Sequence, residues 1–291
     1  MLNKAKIALV TDSNSGLLPN DTPDGVFVLP MPFLVNGEPY LENINLTQSD
    51  FYQLLDSQSA MATSQPSIGD VSDLWTELLN DYDEIVHIPM SSGLSQAFAT
   101  ANNLAKDFQG KVFVVDNHRI SVPLKHSVMD AVKLREQGKS GAEIKQILEE
   151  MAFDGSIYIA VDTMKYLKKG GRVTPTAAMI GTILKLKPIL QIHGDKLDKY
   201  ALPRNTQKAK ELIKNALKED IENAYANYAQ NDELILDVAY TDNEEQAKVF
   251  AQELQAAFPA LSLRYCEPLP LSVACHVGPG ALGAAVTRII K

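Results

Sequence analysis

Ile85-Val86-His87-Ile88-Pro89-Met90 runs directly into Ser91-Ser92-Gly93-Leu94-Ser95, and then into Gln96-Ala97-Phe98-Ala99-Thr100-Ala101-Asn102. The first stretch is an apolar, branched run of strand length and the last is rich in helix formers, so the order predicts strand, loop and helix in succession. Such a unit implies a right-handed crossover and a largely parallel sheet, whose ligands sit at the carboxyl ends of the strands. The loop is well supplied with donors: backbone N–H groups at a helix start, a dipole that favours negative charge, and side-chain hydroxyls. A lone serine there most simply caps the helix, and three serines around one glycine weaken that reading.

Outward from this stretch, apolar runs at 6–11, 84–90 and 112–116 read as strands, with helices over 47–57, 68–80 and 94–108. Residues 123–151 carry apolar side chains at helical spacing, broken at Gly138 and restarted at Ser140, whose hydroxyl and Glu143 make a capping-box pattern. A first α/β unit is placed at 1–152 and a second at 153–291. The second has strands near 156–162, 189–193, 234–241 and 262–266 and helices near 206–217 and 243–258. The small residues of Ala281-Leu282-Gly283-Ala284-Ala285-Val286 suit a closely packed last helix. No internal repeat or low-complexity tract interrupts the pattern.

The chain has 291 residues, 45% of them hydrophobic, enough for one large or two ordinary domains. With 27 Lys+Arg against 36 Asp+Glu its net charge is −9, which disfavours general attraction to nucleic acid or to an anionic membrane. Cys266 and Cys275 are its only cysteines, too few for a disulfide framework or a four-cysteine zinc site, and the expected compartment is the cytoplasm. Ile7-Ala8-Leu9-Val10 is far too short for a signal peptide or a membrane span, so no stable membrane insertion is expected.

Four further motifs accompany the serine loop: Thr11-Asp12-Ser13, Thr63-Ser64-Gln65-Pro66-Ser67, Gly170-Gly171-Arg172 and His276-Val277-Gly278-Pro279-Gly280. Each has a plain structural reading. Pro66 holds Gln65 extended and marks a turn. A lone histidine is ordinarily a hydrogen-bond partner, and the glycines after His276 indicate a tight loop. Residues 174–190 are apolar on more than one face, through Met179, Ile180, Ile183 and Leu184 among others, and close at Pro188; a buried helix is the ordinary reading.

Taken together, in this order and with the stretch Tyr166-Leu167-Lys168-Lys169-Gly170-Gly171-Arg172-Val173, these motifs resemble the DegV family of bacterial fatty-acid-binding proteins, the acyl-carrying subunits of fatty acid kinase. The resemblance runs from the first strand to the last turn. Gln96 stands where many relatives have glycine, and Asp116-Asn117 where an aspartate–serine pair is common; neither position is a proposed ligand contact. The resemblance implies a two-domain α/β fold, with a mostly parallel N-terminal sheet and flanking helices, a second α/β domain, and one long-chain fatty acid at the junction. It further implies that Thr63, His276 and either Ser92 or Ser95 surround the carboxyl group. Ser64, Ser91 and Gly93 would support them, Gly93 by exposing its N–H. Met179, Ile180, Ile183 and Leu184 are then candidates for an acyl-tunnel wall. A separate kinase subunit would phosphorylate the bound acid to an acyl phosphate for phospholipid synthesis, with Arg172 and Arg204 as candidates for engaging that partner or its phosphates. This chain would be a carrier without catalysis of its own, and a surface salt bridge is the plainer reading of either arginine.

The competing reading is a serine hydrolase acting on acyl esters, with Ser92 as nucleophile, His276 as base and Asp12 or Asp116 as the orienting carboxylate. No glycine-x-serine-x-glycine elbow accompanies it. A nucleotide binder lacks both the glycine-x-glycine-x-x-glycine fingerprint and the lysine-bearing phosphate loop. Asp81, Asp83 and Glu84 lack metal-ligand spacing, and neither metal nor cofactor is expected.

Overall fold

Continuous apolar runs make strands buried on both faces, and Ile7–Asp12 (β1) is buried along its whole length. It belongs to a computed structural model that describes residues 5–18, 22–42, 44–56, 60–180, 186–194 and 196–291. After β1 come Val26–Leu29 (β2), Pro32–Val35 (β3), Glu38–Leu41 (β4), Gln48–Asp56 (α1), Met61–Thr63 (β5) and Ile68–Leu78 (α2). Glu84–Ile88 (β6), Ala97–Leu104 (α3), Val112–Val114 (β7), Ser121–Glu136 (α4) and Gly141–Glu150 (α5) complete the first half. The strands β2-β1-β6-β7 form a wholly parallel sheet. Alternate residues divide between two layers: Ala8, Val10 and Ile85 pack with Trp75 of α2, whereas Leu9, Val86 and Ile88 pack with Leu124 and Val128 of α4. Ser67 and Ser140 cap α2 and α5 in full capping boxes, the second with Glu143 as the spacing predicts.

A three-stranded antiparallel sheet, β4-β3-β5, has no counterpart in the sequence reading. Its strands are three or four residues long, two of them contain proline, and their burial is irregular.

The second half comprises Gly155–Ala160 (β8), Lys165–Gly170 (α6), Pro175–Ala178 (α7), Ile189–Ile192 (β9), Asp198–Ala201 (β10), Thr206–Glu222 (α8), Ala226–Gln230 (α9), Leu234–Tyr240 (β11), Glu244–Ala257 (α10), Ser262–Pro268 (β12), Leu271–Val277 (α11) and Leu282–Arg288 (β13). Its six-stranded mixed sheet has the order β10-β9-β8-β13-β11-β12. One face, with Tyr158, Leu236, Val238 and Val286, packs against Ile213 and Leu217 of α8 and Phe250 of α10. The opposite face turns Ile157 and Ile159 toward the core that holds Leu9, Val86 and Leu124.

Two expectations are corrected. The segment 281–286 is not a helix but most of β13, a central strand paired with β8 on one side and β11 on the other. Its small residues serve close strand packing: a Cβ on Gly283 would stand 3.2 Å from the Tyr158 carbonyl oxygen. The segment 174–190 is not one helix either. Thr174 caps the four-residue α7, which ends at Ala178 with Met179 as its C-cap, and β9 begins at Ile189. Ile183 and Leu184 lie outside the described residues, as does position 57 of the helix expected over 47–57. Among the described residues, no helix is long and apolar enough to cross a membrane.

Candidate functional site

Between the mixed sheet, the start of α4 and α11 lies a cavity of about 430 Å³, within the size range of small-molecule sites. Its wall is mainly apolar and includes Met31, Leu94, Leu167, Ile157, Ile159 and Val277. At one end are Thr63, the last residue of β5, and His276 in α11, with Thr63 Oγ1 2.8 Å from His276 Nε2. The pair is assembled by packing: Leu271, Ala274 and Cys275 of α11 are buried against Phe33 of β3 and Phe51 of α1. Gly170 permits the ring's position, because a Cβ there would come within 2.3 Å of His276 Nδ1.

Burial, reinforced by the nearby Arg172 charge, pushes the His276 pKa down to about 4. At neutral pH the ring is therefore uncharged, and the tautomer decides whether Nε2 donates to Thr63 or accepts from it. Arg172 lines the same end; its Nε donates to the Leu94 carbonyl at 3.4 Å and its guanidinium also bonds the Gly170 carbonyl.

A second cleft of about 410 Å³ adjoins this end and is lined by Lys165, Lys169 and Cys275. Thr63, Arg172 and His276 border both spaces. They form a polar partition between an apolar cavity and a cleft bearing three cationic side chains.

The family model described as uncharacterised protein, DegV family, matches residues 6–288. The chain belongs to the DegV family. Protein DegV of Bacillus subtilis (strain 168) is 30% identical over 284 residues, covering 95% of this chain and 97% of that one. A DegV family protein from Thermus thermophilus, described with fatty acid binding, has a TM-score of 0.85 at 28% identity and covers 98% of this chain and 100% of its own. DegV of Bacillus subtilis, described as a fatty acid binding protein, has a TM-score of 0.83 at 28% identity, with 98% and 99% covered.

In this DegV-family chain, Thr63, Ser64, Ser95, Arg172 and His276 meet at the cavity. Ser95 Oγ accepts the Ala97 N–H at 3.1 Å and keeps its own proton available. Ser64 donates to the Gln65 carbonyl at 3.2 Å.

Ser91, Ser92 and Gly93 are not among the lining residues. Ser91 is fully buried and stitches the two halves, donating to the Gly194 carbonyl at 2.6 Å and accepting the Gly93 N–H at 3.1 Å. The Gly93 N–H is thus already engaged, which corrects its expected role. The Ser92 N–H donates to Asp116 at 3.3 Å. Met179 is 84% exposed, and Ile180 is buried in the main core; neither lines the cavity, because α7 ends before its apolar run can turn inward. Arg204 is exposed beyond β10 and lies outside both spaces.

The hydrolase arrangement is not assembled. His276 faces Thr63, not Ser92, and both candidate carboxylates are engaged elsewhere. Asp12, with its pKa raised by burial, accepts from Asn14 twice and from the Met90 N–H. Asp116 accepts the Ser92 N–H and stands 3.5 Å from His118. Among the described residues no cluster of His, Cys, Asp or Glu is arranged to hold a metal.

Sequence reasoning missed Lys165 and Lys169 as part of the site, although Lys169 stands in the quoted Tyr166–Val173 stretch. It also missed Asn14 and Ser272, which meet at 2.5 Å on the cavity wall, and Asp237. For these no local signal exists: strand register brings Asp237 there, whereas Asn14 in the turn after β1 and Ser272 in α11 meet only through the packing of segments far apart in the chain.

Proposed function

We propose that this chain binds one long-chain fatty acid in the 430 Å³ cavity, with the carboxyl group at Thr63, Ser95 and His276 and the acyl chain along the apolar wall. The carrying observation is the Thr63–His276 contact, a polar partition closing one end of an apolar space. Its support from relatives is the fatty acid binding described for the Thermus thermophilus and Bacillus subtilis proteins. The energetics fit: each buried methylene contributes about 0.8 kcal/mol, and each hydrogen bond to a charged carboxylate about 1.5–3 kcal/mol. Affinity then comes mainly from the wall, and orientation from the hydroxyls and the imidazole.

The chain is read as a cytoplasmic carrier in two units, 1–152 and 153–291, without catalysis or cofactor of its own. It presents the carboxyl group to a separate kinase subunit, which forms the acyl phosphate used in phospholipid synthesis. The cationic cleft supports that side of the reading, because Lys165 and Lys169 approach from the face opposite the acyl cavity the partition to which Arg172 belongs. Arg204 remains a candidate for contacting the partner's surface.

Native mass spectrometry of the purified protein, followed by denaturing extraction, is the test. A retained or readily taken up fatty acid at one per chain is expected. Thr63→Ala and His276→Ala should each weaken it about tenfold or more, the loss of one charge-assisted hydrogen bond. A protein that takes up no fatty acid when challenged overturns the reading.

A further inference from the structure

The pairing of the six-stranded sheet sets its cavity-facing residues in rows. Ile159, Gly283 and Ala239 make one row, and Ile157, Ala285 and Asp237 the next. The chain passes from α11, which carries His276, through 278–281 into the start of β13, so the first row is the nearer to the polar end. Two residues along a strand span roughly 6.6 Å. Asp237 therefore stands one row deeper than Ala239, in a wall otherwise made of isoleucine, alanine and glycine.

Asp237 is 1% exposed and yet lines the cavity. Its Oδ1 accepts from His126 Nε2 at 3.1 Å and from the Tyr265 N–H at 3.2 Å; its Oδ2 accepts from His126 Nε2 at 2.9 Å. His126 is itself only 3% exposed. A carboxylate has about four acceptor positions; its two donors here, the Tyr265 N–H and the single His126 Nε2–H shared between both oxygens, leave acceptor capacity on Oδ2. A methylene chain passing that oxygen gives it nothing, which is the unfavourable case for a buried acceptor. A hydroxyl at the same depth donates to it.

We propose that Asp237 is a specificity determinant for the distal part of the ligand and selects an acyl chain bearing a hydroxyl group at that depth over the unsubstituted chain of equal length. The inference rests on the fatty-acid reading of the cavity. Phe could replace His126 and Leu replace Asp237 together, so that neither is left as a lone buried polar group.

The test is competitive binding to delipidated protein of stearic acid, 10-hydroxystearic acid and 12-hydroxystearic acid. The parent chain should prefer one hydroxy acid over stearic acid by about tenfold or more. The double variant His126→Phe with Asp237→Leu should lose that preference, and Asp237→Asn, which keeps the shape and removes the charge, should reduce it. Equal binding of all three acids by the parent overturns the inference, and so does an unchanged preference in either variant. Uptake without discrimination defeats this inference alone; no uptake of any of the acids defeats the fatty-acid reading with it.

Discussion

His87, on β6, is 3% exposed, lies edge-on to Trp75 and has no hydrogen-bond partner for Nδ1 among the described residues. Burial pushes its pKa down to about 3, against 6.5 for an ordinary histidine. Between those values the unfolded chain takes up a proton that the folded chain refuses, so stability falls as pH drops from 6.5 toward 3. His276 acts in the same sense down to about 4. Glu42, pushed up to about 7 by burial, opposes them, because its folded form keeps a proton that the unfolded chain releases. Urea unfolding at pH 6.5 and pH 4.5 should show a smaller loss of stability in His87→Leu than in the parent; equal losses would remove His87 from the account. Gly170→Ala probes the site at the same scale. Its methyl group must displace the His276 ring, so fatty-acid affinity should drop about as far as in Thr63→Ala while the unfolding temperature stays near the parent's. Unchanged affinity, measured by ligand displacement, would show that the ring's position is not needed.

At the scale of elements, legibility followed hydrophobic continuity. The strands β1, β6 and β7 could be read because a parallel sheet covered on both faces demands apolar runs, and the cap of α5 because a hydroxyl and a carboxylate three residues apart carry their own mechanism; the like box of Ser67 and Asp70 at α2 went unread. The strand β13 could not, because Gly283, Ala284 and Ala285 have no bulk from which to judge a period, and only the neighbours β8 and β11 decide their conformation. The short strands β3 to β5 hide for a related reason: three or four residues are too few to alternate recognisably. Thr63 and His276 were legible as a pair only through the family resemblance, since 213 residues of chain separate them. Asp237 looked like one polar residue in an apolar run, and its place on the cavity wall depends on register. The small residues of β13 make a prediction of their own. Ala285→Leu fills wall space at the deeper row, so the variant should shift its preference toward shorter saturated acids; a panel from ten to eighteen carbons checks this, and an unaltered optimum would place the acyl chain elsewhere.

At the scale of the whole molecule, one core cluster joins Leu9 and Val86 of the parallel sheet to Ile159 of the mixed sheet, and Ser91 adds its bond to the Gly194 carbonyl. A ligand lying between those layers should stabilise both together. At a hundred times its dissociation constant it adds about 2.7 kcal/mol, which for a chain of this size raises the unfolding temperature by roughly 4–5 °C. Calorimetry should show one transition moving as a unit; a lower step that stays in place would mean that only one layer holds the ligand.

The polar end is a seam between pieces of chain that arrive separately, Thr63 on the small antiparallel sheet and His276 on the helix beneath it. Phe33 and Phe51, both fully buried, hold that seam closed against α11. Parting β5 from α11 would cost the contacts of both rings. On the proposed reading the ligand's carboxyl group rests on a joint whose closeness depends on aromatic packing outside the cavity, so residues that never touch the guest still shape its hold.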